Sequence, residues 1–91
     1  MARDYRRLDF TDTFLETFAS KDLTAMDRAL IVKALALLDT NDRHPSLRVH
    51  KLRGDRAGSW SASASATLRV TFERLDEGTM RLLTCSKHYD R

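Results

Sequence analysis

Ninety-one residues with 42% apolar side chains, three glycines and one proline suit one folded domain, and exclude a disordered or fibrous polymer. One cysteine, and three histidines that share no short motif, exclude a cystine-stapled module and a structural zinc site of the usual ligand spacing. The net charge of +3 is unevenly placed: residues 1–45 hold seven basic and eight acidic side chains, residues 46–91 nine and five. Within 43–69 the basic Arg43, Arg48, Lys51, Arg53, Arg56 and Arg69 face the single acid Asp55, a pattern that favours polyanions.

Charged residues open the chain and no hydrophobic stretch follows them, so a cytoplasmic protein without a secretory signal is expected. No apolar run nears the roughly 20 residues of a membrane span. Residues 5–10 read as a short first strand. Phe10, Phe14 and Phe18, with Leu15 beside them, recur at four-residue spacing and predict an apolar helix stripe. Thr13, with Glu16 three residues on, has capping-box spacing, and Thr11 is an equally good start. Residues 20–22 break the pattern. Thr24, with Asp27 three residues on, opens a longer helix whose buried face reads as Met26, Leu30, Ala34, Leu37 and Leu38. A polar exit loop covers 39–45.

After Pro45 the period changes to two. Residues 47–52 predict a strand and 54–58 a turn. Trp60, Ala62, Ala64 and Ala66 alternate with Ser61, Ser63, Ser65 and Thr67; Leu68, Val70 and Phe72 then alternate with Arg69, Thr71 and Glu73. Residues 76–78 make a hairpin turn and 80–85 the closing strand. The fold class is α+β, in the order β-α-α-β-β-β-β. Two N-terminal helices cover one face of a mostly antiparallel sheet of four to five strands. The other face carries serines, threonines and Arg69. Trp60 and Cys85 read as packing residues, and the tripeptide Arg53-Gly54-Asp55 as an ordinary turn.

The stretch His44-Pro45-Ser46-Leu47-Arg48-Val49-His50-Lys51-Leu52-Arg53-Gly54, followed by Gly58-Ser59-Trp60-Ser61 and Leu68-Arg69-Val70-Thr71-Phe72, resembles the RelE/ParE toxin superfamily, with the YoeB and YafQ branches nearest. The closing Leu82-Leu83-Thr84-Cys85-Ser86-Lys87-His88-Tyr89 fits the same pattern. The resemblance implies the toxin of a type II toxin–antitoxin pair, a ribosome-dependent mRNA endonuclease that works without a metal or cofactor. It implies three partners: an antitoxin that holds the toxin in a hetero-oligomer, the ribosome, and mRNA. The chemistry would be attack of a ribose 2′-hydroxyl on the adjacent phosphate.

Such a reaction needs one group to take the 2′-OH proton, one to protonate the leaving 5′-oxygen, and cations to offset charge on the transition state. The resemblance puts Arg69 at the phosphate-binding position and gives His88 a role as general acid or base. His50 would be the partner base or would orient the RNA, and Tyr89 would stack on a base or position the nucleophile. Lys51, Arg53 and Arg48 would contact RNA phosphates. One departure stands out: where relatives place lysines or arginines on the strand after the turn, this chain has Ser61 and Ser63. Two other readings therefore stay open, a ParE-like gyrase inhibitor and a catalytically inactive toxin-fold binding protein.

Overall fold

Two threonines start the two helices of the computed structural model, which describes residues 5–87. Thr11, in extended backbone, accepts the Phe14 N–H on its hydroxyl oxygen at 3.0 Å and begins α1 (Asp12–Phe18). Thr24 begins α2 (Ala25–Thr40) through the expected capping box. Its hydroxyl oxygen accepts the Asp27 N–H at 3.0 Å, while the Asp27 carboxylate accepts the Thr24 N–H at 2.8 Å.

The buried stripe of α2 is Ile31, Ala34, Leu35 and Leu38. That set is rotated from the expected one. Ala34 and Leu38 lie on it, Leu30 and Leu37 flank it half-buried, and Met26 is 68% exposed. The 31/34/35/38 spacing gathers four apolar side chains on one face within two turns, which the wider set does not. In the first stripe, Phe14 is core and Phe18 packs against it, but Leu15 points outward and Phe10 belongs to a strand. Phe10 still meets Phe14 edge-on, with ring centroids 5.5 Å apart.

Five strands form one sheet: β1 (Leu8–Phe10), β2 (His50–Lys51), β3 (Trp60–Ser63), β4 (Leu68–Arg74) and β5 (Met80–Lys87), in the spatial order β1-β5-β4-β3-β2. β1 runs parallel to β5 and every other pair is antiparallel, so the expected α+β architecture holds, with a mixed sheet. Where β1 stops at Phe10, α1 takes over the edge of β5. The Thr11 hydroxyl donates to the Leu82 carbonyl at 2.7 Å, and the Thr17 hydroxyl oxygen accepts the Cys85 N–H at 3.0 Å. Ala62, Leu68, Val70, Phe72, Met80, Leu82 and Cys85 are buried in the core cluster with the helix residues.

Two expected strands are shorter than their alternation. Residues 47–52 do not form one strand. Pro45–Leu47 is a 3-10 turn, started by His44, whose Nδ1 accepts the Ser46 N–H at 3.2 Å, and anchored by the buried Leu47. Arg48 then turns the chain back through the left-handed region, and only His50 and Lys51 pair with β3. The expected strand through Ala66 ends at Ser63. There the Ser65 hydroxyl accepts the N–H groups of Thr67 and Leu68, each at 3.2 Å, and closes a hairpin.

Candidate active site

The sheet register runs two polar rows across the face turned away from the helices. His50 pairs with Ser61, Ser61 with Thr71, and Thr71 with Thr84. One step along, Ser63 pairs with Arg69 and Arg69 with Ser86. Ser61 and Thr71 are nearly fully buried, and the Thr71 and Thr84 hydroxyls meet at 2.6 Å. Ser61 therefore keeps its expected face without being open to solvent.

At the hairpin end of these rows lies an open cleft of about 590 Å³, lined by Ser46, Arg48, His50, Ser63, Ala64, Ser65, Ala66 and Arg69. It brings together three of the residues singled out from sequence. Arg48 comes from the residue after the 3-10 turn, His50 from β2 and Arg69 from β4. No carboxylate lines this cleft among the described residues, so its two arginines share it with no acid. A guanidinium presents a planar fork that matches phosphate oxygens.

His50 is fixed at one nitrogen. Its Nδ1 lies 2.9 Å from the Arg48 carbonyl oxygen; a carbonyl only accepts, so Nδ1–H donates and Nε2 carries the lone pair of the neutral ring. Ser46, Ser63 and Ser65 were not assigned to a site from sequence. Ser63 carried a signal in its alternation with Ala62 and Ala64, whereas Ser46 reaches the cleft only because 45–47 is a turn.

Lys51 and Arg53 stand outside the cleft. Lys51 places its Nζ 5.4 Å from the Trp60 ring centroid, and Arg53 leads into the 3-10 turn Gly54–Arg56. Trp60, half-buried and packed on the core as expected, also carries the Arg74 guanidinium 4.4 Å from its ring. Arg74 in turn donates to Asp42 at 2.7 Å, with Arg7 3.7 Å away. The Arg74 hydrogen bond, helped by the charges of Arg74 and Arg7 and opposed by partial burial, holds the Asp42 carboxyl below its ordinary range. His88 and Tyr89, the other two residues expected in the site, lie outside the described residues.

Cys85 is buried in the core, as its place in an apolar strand predicts, and burial pushes its thiol up against smaller opposing effects of the Thr17 hydroxyl and the Arg28 charge. Among the described residues no three His, Cys, Asp or Glu side chains stand close enough to hold a metal ion. No described helix is long and apolar enough to cross a membrane.

No family model matches the chain, and no curated protein matches it in sequence. Solved structures do match. A YoeB/ParE toxin from Agrobacterium tumefaciens superposes with a TM-score of 0.73 at 20% identity, over 92% of this chain and 100% of that one. The toxin–antitoxin complex RelBE2 from Mycobacterium tuberculosis matches at 0.63 and 25%, over 94% of each chain. The E. coli DinJ-YafQ toxin–antitoxin complex matches at 0.68 and 17%, over 93% of this chain and 94% of that one. The chain has the RelE/ParE-like toxin fold. Its structural neighbours include YoeB- and YafQ-type toxins, and the RelBE2 and DinJ-YafQ structures are toxin–antitoxin complexes.

Proposed function

We propose that this chain is the toxin of a toxin–antitoxin pair and an endoribonuclease that cuts mRNA on the ribosome. The observation that carries the reading is the convergence of Arg48, His50 and Arg69 on one cleft that no acid lines among the described residues. In the proposed reaction His50 Nε2 takes the proton from the ribose 2′-hydroxyl. The 2′-oxygen forms a bond to the adjacent phosphorus as the bond from phosphorus to the 5′-oxygen breaks, leaving a 2′,3′-cyclic phosphate. A proton from the acid, a role the resemblance gives to His88, completes the 5′-hydroxyl. Arg69, with Arg48 beside it, offsets charge on the phosphorane-like transition state. Tyr89 would stack on a base, while Lys51 and Arg53 would contact phosphates beyond the cleft. No metal enters this scheme, the partner is an antitoxin of its own, by analogy with the toxin–antitoxin complexes among the structural neighbours, and the compartment is the cytoplasm.

Purified protein added to ribosomes carrying a defined mRNA tests the proposal. Cleavage at the codon in the A site is expected; intact mRNA at high protein concentration contradicts it. One observation favours a second reading. The site side of β3 offers the uncharged Ser61 and Ser63, which would suit a gyrase inhibitor or a toxin-fold protein that only binds. Under that reading a supercoiling assay would respond to the chain and mRNA would stay whole.

A further inference from the structure

We infer that the backbone carbonyl of Arg48 is a positioning group that fixes the tautomer of His50. The inference rests on the reading of His50 as the proton acceptor. Two histidines six residues apart are held in opposite states by the same turn. His44 Nδ1 accepts the Ser46 N–H at 3.2 Å and meets the Ser46 hydroxyl at 2.8 Å, so in the neutral ring its proton sits on Nε2. His50 Nδ1 instead faces the Arg48 carbonyl at 2.9 Å and must carry the proton itself. Free neutral imidazole side chains in water favour the proton on Nε2. His44 thus keeps the common form, and His50 is driven to the rarer one, the form that leaves Nε2 able to accept a proton.

The carbonyl can do this because of an unusual backbone. Arg48 is the only non-glycine residue with positive φ among the described residues, at φ 46° and ψ 46°. Its own Cβ disfavours that conformation. The turn holds it there: Leu47 is buried in the core, and the Arg48 N–H donates to the Pro45 carbonyl at 3.2 Å. Backbone strain placed directly beside a candidate proton-transfer group is the arrangement in which strain serves a site. Arg48, which lines the cleft, therefore has two separable parts, a cationic side chain and a carbonyl that sets the neighbouring ring.

Long-range proton–nitrogen correlation spectra of the full chain, labelled at histidine and recorded above the ring titrations, read both tautomers directly. Signals are assigned with His44→Gln and His50→Gln. In the parent, His50 shows a protonated Nδ1 and a bare Nε2, with His44 reversed. Arg48→Gly retains this pattern, because glycine enters the left-handed region freely. Arg48→Val, whose branched Cβ resists positive φ, moves the majority of His50 to the Nε2–H form while His44, reporting an intact turn, stays as it was. A bare Nδ1 at His50 in the parent overturns the inference, and so does a valine variant that keeps the Nδ1–H form. On programmed ribosomes the glycine variant keeps the shape of the parent pH profile at a lower rate. The valine variant falls about ten-fold or more below the glycine variant, part of the ~10²–10⁴ that an acid–base group supplies. If the tautomers are as described and the parent still cuts no RNA, the reading of His50 as base fails and the positioning of its ring stands.

Discussion

Arg28, on α2, closes the end of α1 at Phe18: its Nε–H donates to the Phe18 carbonyl at 2.7 Å, and its Nη2 donates to the Ser20 carbonyl at 2.7 Å. The last carbonyls of a helix have no partner within it, and α1 has no basic residue of its own in its last turn. The planar fork of one arginine supplies two charge-assisted bonds and also lies 5.9 Å from the Phe18 ring centroid. Arg28→Ala is expected to lower unfolding stability by about 1.5–3 kcal/mol. Arg28→Lys should recover less than half of it, since an ammonium cannot span both carbonyls. Urea unfolding midpoints check both.

Thr17 makes the corresponding link to the sheet. Thr17→Val, similar in shape, strips the partner from the Cys85 N–H and should cost about 1–3 kcal/mol; Thr17→Ser keeps the hydroxyl and should cost clearly less. Thermal melts of the two variants separate a lost hydrogen bond from a lost methyl group.

Asp42 gives the fold a defined acid limb. Its carboxyl is depressed below the ordinary 3.8 by the Arg74 hydrogen bond. A depressed carboxyl contributes stability that is complete above its unfolded value and disappears as pH falls through the folded one. Asp42→Asn should therefore cost about 0.5–1 kcal/mol near pH 6, a small figure because both arginines are about a third exposed. Parent and variant should converge below pH 3.8. Denaturant midpoints across that range read the convergence.

The thiolate is the reactive form of a cysteine, and burial disfavours it at Cys85. Native protein is expected to react with a thiol reagent at neutral pH about ten-fold or more slowly than the same chain in urea. Equal rates in the two states would place the sulfur at the surface.

Local signals made much of this fold legible. Thr24 with Asp27 and the alternation from Leu68 to Glu73 each depend on neighbours within a few residues, and both formed as read. The sequence pattern failed where distant contacts decide. Ile31 and Leu35 displaced Met26 from the core, and the parallel pairing of β1 with β5 joins residues some seventy positions apart. In the candidate site, the outward face of Arg69 was legible from strand alternation, while the roles of Arg69 and His50 came from the family resemblance. The strand expected over 47–52 hid the decisive detail. A left-handed Arg48 has no composition cue, because it is imposed by the anchored Leu47 and the His44 cap. Lys51 and Arg53 read as equals of Arg48 in sequence, and the pleat and the following turn send them elsewhere.

Arg69 should matter to the reaction and little to the fold. It is half-buried on the cleft side of β4 and forms no ion pair among the described residues. Arg69→Ala is expected to reduce cleavage by about 10²–10³ with a melting curve close to the parent. Arg69→Lys should restore part of the rate, since it returns the charge without the fork.

The central claim, that a ribose 2′-hydroxyl is the nucleophile and this cleft activates it, is tested most directly on programmed ribosomes carrying two mRNAs, identical except that one lacks the 2′-hydroxyl at the scissile nucleotide of the A-site codon. The account predicts that the parent protein cuts the ordinary mRNA to a 2′,3′-cyclic phosphate end and leaves the deoxy version whole. Equal cleavage of the two, or cleavage of neither, would contradict it.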